Sequence, residues 1–287
     1  MKRTANPELD KILGKEFPCL DYGFVRLIDY MGSDESIVQA ARVSYGKGTK
    51  SVLQDRGLIR YLFRHQHTTP FEMVEFKFHC KLPIFVARQW IRHRTASVNE
   101  YSLRYSRAHN QFYMPEPEVI RAQSTTNRQG RSLDAVPEDL QQKVLTILKK
   151  YTTQAWDDYQ QLEDSNIARE LARINLPVSL YTEWYWKIDL HNLLHFLRLR
   201  LHPTAQYEIR VYAKAMAEIL KIAVPLTWEA FEDYSLHAKT FSRIEIEMIK
   251  EALAKSAPQN WEEMAQAKGL SKREIREFIE KINTDNN

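Results

Sequence analysis

The amino-acid sequence predicts a protein in which helices pack against a β-sheet. Two stretches alternate apolar and polar residues over the length of a strand, at 74–82 and at 178–188, and a third, GFVRLIDYM at 23–31, also has the composition of a strand. Amphipathic helical segments lie between these three stretches, and a charged helical tail follows them. A length of 287 residues allows one large domain or two small ones.

The composition indicates a globular protein without a membrane-spanning segment. Hydrophobic residues make up 44% of the chain, and the formal net charge of +4 suits small anionic ligands without requiring nucleic acid. No apolar run approaches about 18 residues, and the N-terminus lacks the apolar core of a signal peptide. The two cysteines, Cys19 and Cys80, are too few for a disulfide framework. We therefore expect a cytoplasmic protein with no membrane partner.

Capping and turn residues divide the first part of the chain into elements. Ser33 and Asp34 are predicted to cap a helix after the first strand, and a glycine-containing turn is predicted at 45–50. The two glycines of that turn lack the spacing of a dinucleotide-binding or phosphate-binding loop. A second helix is predicted from apolar residues at helical spacing, namely Leu58, Ile59, Leu62 and Phe63.

The strand at 74–82 leads into a helix that ends at a basic segment. The alternation places Cys80 on the apolar side, so we predict that it belongs to the core rather than acting as a nucleophile. Pro83 is predicted to occupy the first turn of the next helix. The inner side of this helix is predicted to consist of Ile84, Ala87 and Ile91.

The middle of the chain is predicted to contain a long loop, two helices and a strand. Polar residues, prolines and a glycine at 108–135 predict a loop without regular structure. Helices are predicted at 137–162 and at 166–174. The apolar face of the strand at 178–188 is predicted to consist of Val178, Leu180, Trp184, Trp186 and Ile188.

The remaining sequence is predicted to be helical. Asp189 is predicted to cap one helix, and another is predicted to begin at Thr204 and to end at Pro225. The tail from 241 is charged, and its last part, 260–282, is typical of a helix-turn-helix. The signals are Gly269 in the turn and a capping box of Ser271 and Glu274. A DNA-reading module stays open, but acidic residues nearly balance basic ones here, which favours a peripheral helix pair.

The stretch richest in chemistry is RHRTASVNEYSLR at 92–104. Guanidinium groups bind phosphates and carboxylates as planar, bidentate donors, and the hydroxyl, amide and carboxylate groups between them can hydrogen-bond a sugar or a heterocycle. The alternative is a basic face exposed to solvent. On such a face, charges of opposite sign would alternate as i,i+4 ion pairs, and the charges at 92–104 do not alternate in this way. We therefore predict an anion-binding site in this stretch.

Two histidine pairs have the spacing of metal ligands. His191 and His195 are four positions apart, and His65 and His67 are two apart. The glutamate of an HExxH motif is missing, so we expect hydrogen bonding to a ligand or a neighbouring subunit and predict no metal. No GxSxG motif is present. What remains is a basic site with planar guanidinium donors and without a protein nucleophile. A site of this kind suits electron or group transfer on a bound cofactor.

An ordered set of motifs resembles the family of flavin-dependent thymidylate synthases. The residues from 92 to 102 match the RHRxxxxNxxS signature of that family. Further segments that resemble the family are TPFE at 69–72, PIFVARQWIRHR at 83–94, RINLP at 173–177, and Leu199 and Arg200 through Ala205 and Gln206. The resemblance covers roughly residues 20 to 235, and the order of the motifs makes it specific.

The resemblance implies an α+β fold with a central, mostly antiparallel sheet packed with helices. It also implies reductive methylation of dUMP to dTMP, with 5,10-methylenetetrahydrofolate as carbon donor, FAD as hydride mediator and NADPH as reductant. Members of this family use no cysteine nucleophile, which agrees with the interpretation of Cys80. They are homotetramers whose active sites are shared between subunits, so a flavin can bind without a glycine-rich loop.

The resemblance assigns roles to particular positions. Arg200 is the implied catalytic residue. The implied dUMP-binding residues are Gln89, Trp90, Ile91, Arg92, Glu100, Tyr101, Ser102, Leu103, Arg104, Arg173 and Arg200. The implied FAD-binding residues are Thr69, Arg92, His93, Arg94, Glu100, Asp189, Leu190, His191 and His195. The sequence departs from the usual family residue at four positions: Met73 for histidine, Leu103 for glycine, His191 for arginine and His195 for asparagine.

We expect one main domain at 1–240, with 108–135 as a loop insertion, and a C-terminal helical extension at 241–287. Two other functions stay open. A nucleotide-binding regulator would keep the fold without the reaction and would purify without flavin. A nucleic-acid binder would use the arginine-rich stretch and the tail, and its duplex binding would weaken with salt.

Overall fold

The computed structural model describes residues 6–43, 52–125, 130–255 and 260–282, and the predicted turn at 45–50 lies outside them. The chain divides into two compact units, Met1–Phe231 and Glu232–Asn287. The predicted domain boundary at residue 240 stays a prediction. None of the described helices is long and apolar enough to cross a membrane.

Within the described residues, the strands form a five-stranded sheet and a separate two-stranded sheet. The strands are β1 (Glu16–Cys19), β2 (Gly23–Met31), β3 (Glu75–Pro83), β4 (Ser97–Glu100), β5 (Arg121–Gln123), β6 (Arg131–Ala135) and β7 (Tyr181–Asp189). The larger sheet has the order β1-β2-β3-β7-β4, and every neighbouring pair in it is antiparallel. The α+β class with a central antiparallel sheet is therefore confirmed.

Helices occupy most of the remaining described chain. In the first unit they are α1 (Pro7–Asp10), α2 (Asp34–Val43), α3 (Val52–Arg64), α4 (Thr69–Glu72), α5 (Ile84–Trp90), α6 (Glu138–Asp164), α7 (Arg169–Ala172), α8 (Leu190–Arg200), α9 (Tyr207–Ala223) and α10 (Pro225–Phe231). In the second unit they are α11 (Arg243–Ala254), α12 (Trp261–Ala267) and α13 (Lys272–Ile282).

One face of the sheet packs against α5, α8 and α9 and forms the core. The predicted apolar side of β3 is fully buried, because Phe76, Phe78, Cys80 and Leu82 all have no exposed surface. Trp90 of α5 lies at the centre, where its ring packs edge-on against Trp186 at 5.1 Å and stacks on Phe196 at 4.9 Å. Each such aromatic pair adds about 0.5–1.5 kcal/mol beyond its buried area. This aromatic core fixes the ends of α5 and α8 relative to each other.

Burial disfavours the thiolate form of both cysteines. The Cys80 side chain points into the core, as the alternation predicted, and desolvation raises the pKa of its thiol well above the usual value. Burial raises the pKa of Cys19 to about 12. Because the thiolate is the nucleophilic form, neither residue supplies one at neutral pH.

Several predicted boundaries were wrong by a few residues. Ile91 is 50% exposed, because α5 ends at Trp90 and Ile91 is its C-cap; the buried side is Val86, Ala87 and Trp90. Val178 is 51% exposed, because β7 begins only at Tyr181. The helix predicted from Thr204 begins at Tyr207, since Thr204 lies in a turn held by hydrogen bonds to His202.

The chain between β4 and β7 differs most from prediction. The stretch at 108–135 contains β5 and β6, which pair with each other, and is not a structureless loop. The helix predicted at 166–174 is shortened to α7 and a 3-10 turn at Arg173–Asn175, because Asn166 has a left-handed backbone with φ of 58°. The short strand β1 was not predicted.

A buried carboxylate ties this segment to α9. Glu208 is 1% exposed and accepts hydrogen bonds from the Tyr113 hydroxyl at 3.0 Å and from Gln206 Nε2 at 2.9 Å. The Arg131 guanidinium forms an ion pair with the same carboxylate. These contacts satisfy a charge that would otherwise be costly to bury.

The second unit contains the predicted helix-turn-helix pattern. Gly269 has φ of 80° in the turn between α12 and α13, a conformation that glycine adopts without strain. The Ser271 amide donates to Glu274 Oε2 at 2.8 Å, and the Glu274 amide donates to Ser271 Oγ at 3.4 Å. This is the predicted capping box, and Trp261 packs edge-on against Phe278 at 5.9 Å to close the pair.

Candidate active site

A cavity of about 330 Å³ lies where the chain leaves α5 and where α8 ends. Its lining consists of Arg92, His93, Arg94, Thr95, Ile188, Asn192, His195, Leu199 and Arg200. The cavity therefore brings the predicted RHR motif and the predicted catalytic arginine together, although they are far apart in the sequence. No carboxylate belongs to this lining, so among the described residues the walls carry only positive charge.

Local hydrogen bonds fix both segments that line the cavity. The His93 amide donates to the Trp90 carbonyl at 2.9 Å, which turns the chain directly after α5. Asp189 caps α8 as predicted: Oδ1 accepts from the Asn192 amide at 2.9 Å, and Oδ2 accepts from Asn192 Nδ2 at 2.8 Å. Both oxygens of the Asp189 carboxylate thus accept hydrogen bonds from Asn192, and Leu190 is fully buried.

The central contact of the cavity joins Arg200 to His93. Arg200 Nε donates to His93 Nε2 at 3.1 Å. Burial, together with the positive charge of Arg200 and the neighbouring His195, lowers the pKa of His93 to about 4. Burial also lowers the pKa of Arg200, which stays charged at neutral pH. At neutral pH the pair is therefore a cation held by a neutral imidazole.

His195 lies beside this pair and lines the same cavity. Its ring centroid is 6.0 Å from that of His93. Burial lowers the pKa of His195, and Arg198, His191 and Arg200 add to the effect through their positive charge. The cavity therefore presents its positive charge through guanidinium groups rather than through imidazoles.

A second set of predicted residues lies outside this cavity, on the exposed surface after β4. Thr182 Oγ1 donates to Glu100 Oε1 at 2.7 Å, and the Tyr101 hydroxyl donates to the Arg107 carbonyl at 3.0 Å. Arg104 Nε donates to Glu170 Oε2 at 3.1 Å, and both side chains are more than half exposed. The Ser102 hydroxyl accepts from the Arg104 amide at 3.3 Å.

The other predicted dUMP residues differ in how far they are buried. The Trp90 side chain is in the core, so it cannot contact a ligand there, and Ile91 is exposed. Leu103 packs at the edge of the buried cluster around Tyr159, and Arg173 is half-buried in its 3-10 turn. Gln89 is half-buried, and its buried Oε1 has no hydrogen-bond partner among the described residues.

Two predicted flavin residues remain. His191 is half-buried on α8 and does not line the smaller cavity, and Thr69 lines a different and larger cavity of about 930 Å³. Residues of α2, α3 and α4 form most of its walls, together with Met73 and His67. His67 and His65 both pack against the ring of Tyr61, with centroids 5.8 and 4.4 Å away. In the described part of the chain, no three histidine, cysteine or acidic side chains gather as a metal site would require.

Four residues of the smaller cavity were missed by the sequence analysis: Thr95, Ile188, Asn192 and Leu199. Three of them had a usable signal in the sequence. Asn192, His195 and Leu199 follow at i, i+3 and i+7, so they share one face of α8. Thr95 directly follows the RHR motif, whereas Ile188 looked like any other core residue of a strand.

Comparisons with known proteins identify the family of this chain. A family model described as "Thymidylate synthase complementing protein" matches residues 26–226. The chain is 54% identical over 289 residues to a flavin-dependent thymidylate synthase of Rickettsia bellii (strain RML369-C), covering 96% of this chain and 97% of that protein. A flavin-dependent thymidylate synthase of Gluconobacter oxydans (strain 621H) is 58% identical over 255 residues, covering 88% and 84%.

Solved structures show the same fold. The UMP/dUMP methylase PolB from Streptomyces cacaoi, bound with 5-Br dUMP, superposes with a TM-score of 0.70 at 34% identity and covers 77% of this chain and 99% of its own. The complex of the same methylase with 5-Br UMP gives a TM-score of 0.68 at 36% identity, with coverage of 75% and 95%. The resemblance in the motifs is thereby confirmed, and the chain belongs to the family of flavin-dependent thymidylate synthases.

Proposed function

We propose that this protein is a flavin-dependent thymidylate synthase that methylates dUMP to dTMP. The observation that carries the proposal is the Arg200 guanidinium, fixed by the neutral His93 imidazole in a cavity whose charged lining residues are all cationic. This geometry occurs in a chain whose relatives carry the name flavin-dependent thymidylate synthase at 54–59% identity.

The residues of the smaller cavity fit one part of a flavin nucleotide. Arg92 and Arg94 are exposed on its rim, and guanidinium groups suit a pyrophosphate as bidentate donors. A volume of about 330 Å³ is at the low end for a ligand pocket, so a whole FAD does not fit inside it. When bound, the flavin supplies hydride-transfer chemistry that amino-acid side chains lack.

We propose that the remaining flavin contacts and part of the dUMP site come from neighbouring subunits of a homotetramer. Two observations support this. Thr69 lines the larger cavity, separate from the RHR motif. Arg104 and Arg173 are also outside the cavity that contains Arg200. A second copy that faced this cavity would complete both ligand sites. Light scattering that found an active monomer would contradict this assembly.

Arg200 is proposed to activate the pyrimidine. Methylation at C5 of uracil requires electron density at that carbon, and the two buried thiols cannot supply it by addition at C6. A fixed guanidinium against the ring carbonyls can instead stabilise the negative charge that develops on them. The hydrogen bond to His93 leaves the charge of Arg200 uncompensated, which strengthens this effect.

The predicted dUMP residues outside this cavity are proposed to hold dUMP itself. Arg104 and Arg173 suit the phosphate, and the Gln89 amide, the Glu100 carboxylate and the Ser102 hydroxyl suit the sugar and the base. The ion pair between Arg104 and Glu170 is exposed, and such pairs are worth about 0–1 kcal/mol. A phosphate can therefore replace Glu170 at little cost.

The other reactants and the cellular location are also proposals. NADPH as reductant and 5,10-methylenetetrahydrofolate as carbon donor follow from the family that the motifs identify. A cytoplasmic location is supported by Cys19 and Cys80, which are both free thiols, as expected in a reducing compartment.

The test combines a spectrum with an assay. The purified protein should absorb as a flavoprotein and should release tritium from dUMP labelled at C5 when NADPH and methylenetetrahydrofolate are both present. Leaving out either compound should abolish release, and UMP in place of dUMP tests the choice of sugar. A colourless protein that binds dUMP without turnover would indicate the regulator instead. Salt-sensitive duplex binding without turnover would indicate the nucleic-acid binder.

A further inference from the structure

His93 makes a contact that a flavin-binding role does not require. Its Nε2 accepts the hydrogen bond from Arg200 Nε at 3.1 Å, and this is the one hydrogen bond found for Arg200 among the described residues. The acceptor nitrogen must lack a proton, so the proton of the neutral ring is on Nδ1. The contact thus specifies both the charge state and the tautomer of His93.

The imidazole is itself held from two directions. The His93 amide donates to the Trp90 carbonyl at 2.9 Å, which fixes the backbone at the end of α5. The His93 ring packs edge-on against Phe196 at 4.9 Å, and Phe196 stacks on the fully buried Trp90. Because Trp90 and Phe196 have no exposed surface, the imidazole rests on the rigid part of the core.

We infer that His93 is a positioning residue for Arg200: it accepts the Nε–H and holds the guanidinium plane in the orientation that the pyrimidine requires. The inference rests on the proposed function, in which Arg200 acts on dUMP. It differs from the flavin-binding role, because His93 here acts through another protein side chain.

The choice of a neutral acceptor has a chemical consequence. A carboxylate would orient Arg200 equally well but would cancel its positive charge, and that charge is needed on the ring carbonyls. An imidazole takes one N–H and leaves the four donors of the two terminal nitrogens for a ligand. Without an acceptor, an arginine at the last position of α8 would sample several rotamers and lose this preorganisation.

A double-mutant cycle tests the inference in the flavin-loaded enzyme. His93→Ala should lower kcat for dTMP formation by about ten- to a hundredfold, the equivalent of one hydrogen bond to a charged group. His93→Gln keeps a neutral oxygen acceptor and should recover most of this loss. In an Arg200→Ala background, His93→Ala should cause no further loss beyond about threefold, since the residue acts through Arg200.

Two outcomes of the cycle would overturn the inference. One is that His93→Ala costs the same factor with and without Arg200, which would make His93 an independent flavin contact. The other is that His93→Gln is as poor as His93→Ala. His202→Ala is the matched control, because His202 is an exposed histidine two positions after Arg200 with its hydrogen bonds to Thr204. Flavin absorbance and the thermal unfolding midpoint of each variant exclude loss of cofactor or of fold.

A spectroscopic readout works without turnover and keeps the two proposals separable. Histidine labelled with ¹⁵N should show His93 as the Nδ1-protonated tautomer in the resting holoenzyme, and His93→Gln identifies the signal. Arg200→Ala should shift it. An Nε2-protonated ring, or a signal unaffected by Arg200→Ala, would overturn the positioning role. If the tautomer is as expected but the enzyme makes no dTMP, the proposed function fails while the contact stands.

Discussion

Two regions of the molecule hold arginines by different partners. In the cavity at the ends of α5 and α8, the half-buried Arg200 is held by a neutral imidazole. On the surface after β4, the exposed Arg104 is held by the carboxylate of Glu170. The first arrangement preserves a positive charge in a fixed orientation, and the second compensates the charge until another anion displaces the carboxylate. The difference suits an electrostatic catalyst in the first region and a phosphate clamp in the second.

The largest expected effect concerns Arg200. Arg200→Ala should lower turnover by about a hundred- to a thousandfold, equal to about 2.7–4 kcal/mol, because it removes one preorganised donor for the developing charge. Arg200→Lys keeps the charge but not the planar fork, so it should also be impaired. The measurement is tritium release from dUMP beside NADPH-dependent flavin reduction. Arg198→Ala is the control, because Arg198 is an exposed arginine of α8 outside the cavity lining. Normal dTMP formation by Arg200→Ala would remove the distinction between the two regions.

A smaller effect is expected for the rim of the same cavity. Arg94→Ala should weaken flavin binding by about ten- to a hundredfold, since a hydrogen bond to a charged group is worth about 1.5–3 kcal/mol. Flavin release on dilution, followed by fluorescence, measures this loss. Arg88→Ala removes an exposed arginine of α5 that does not line the cavity and should leave flavin affinity unchanged. Equal losses in both variants would mean that general positive charge, rather than the cavity, retains the flavin.

In the surface region after β4, we expect one substitution to tighten ligand binding rather than weaken it. Glu170→Ala should tighten dUMP binding by up to about fivefold, because the exposed pair that a phosphate must replace is worth about 0–1 kcal/mol. Arg104→Ala should weaken binding instead. Calorimetric titration of dUMP into each variant measures both effects. Weaker binding in Glu170→Ala would show that the carboxylate orients Arg104 for the phosphate rather than competing with it.

The cavity also makes the stability of the protein depend on pH, through His93. His93 has a usual pKa of 6.5, and burial with the nearby charges of Arg200 and His195 lowers this pKa to about 4 in the folded protein, so the unfolded chain takes up the proton first as pH falls. The free energy of unfolding should therefore decrease from about pH 6.5 down to about pH 4. Denaturant midpoints across this range should show a weaker dependence in His93→Gln. An unchanged pH profile in that variant would show that His93 does not titrate as the geometry requires.

Local signals in the sequence were sufficient for most of the fold. The alternation in β3 and the capping of α8 by Asp189 both depend on residues close together in the chain, and both were confirmed. Boundaries failed where a tertiary contact decides them, as at Val178, whose carbonyl accepts a hydrogen bond from the Phe85 amide at 2.9 Å before β7 begins. The pairing of β5 with β6 was also missed, because their side chains are mostly exposed and show no apolar alternation.

The site was less accessible to sequence analysis than the fold. The motifs predicted which residues bind ligands, but they did not predict which of those residues meet within one chain. Contact between His93 and Arg200 spans 107 positions and depends on how α5 and α8 pack through Trp90 and Phe196. No spacing rule predicts such a contact, since it is a property of the assembled core. The same is true of the separation between Thr69 and the RHR motif.

The buried Glu208 determines how freely the stretch at 108–135 can be altered. Its carboxylate depends on Tyr113 and Arg131 from that stretch, and it is located at the start of α9 in the core. Trimming the stretch to a short linker would leave a charge in the interior without its counter-ion, at a cost of about 3–5 kcal/mol. The stretch at 108–135 therefore cannot be replaced without affecting α9. A designer who wants to shorten it must first neutralise position 208, for example with Glu208→Gln, and must accept that loop and helix change together.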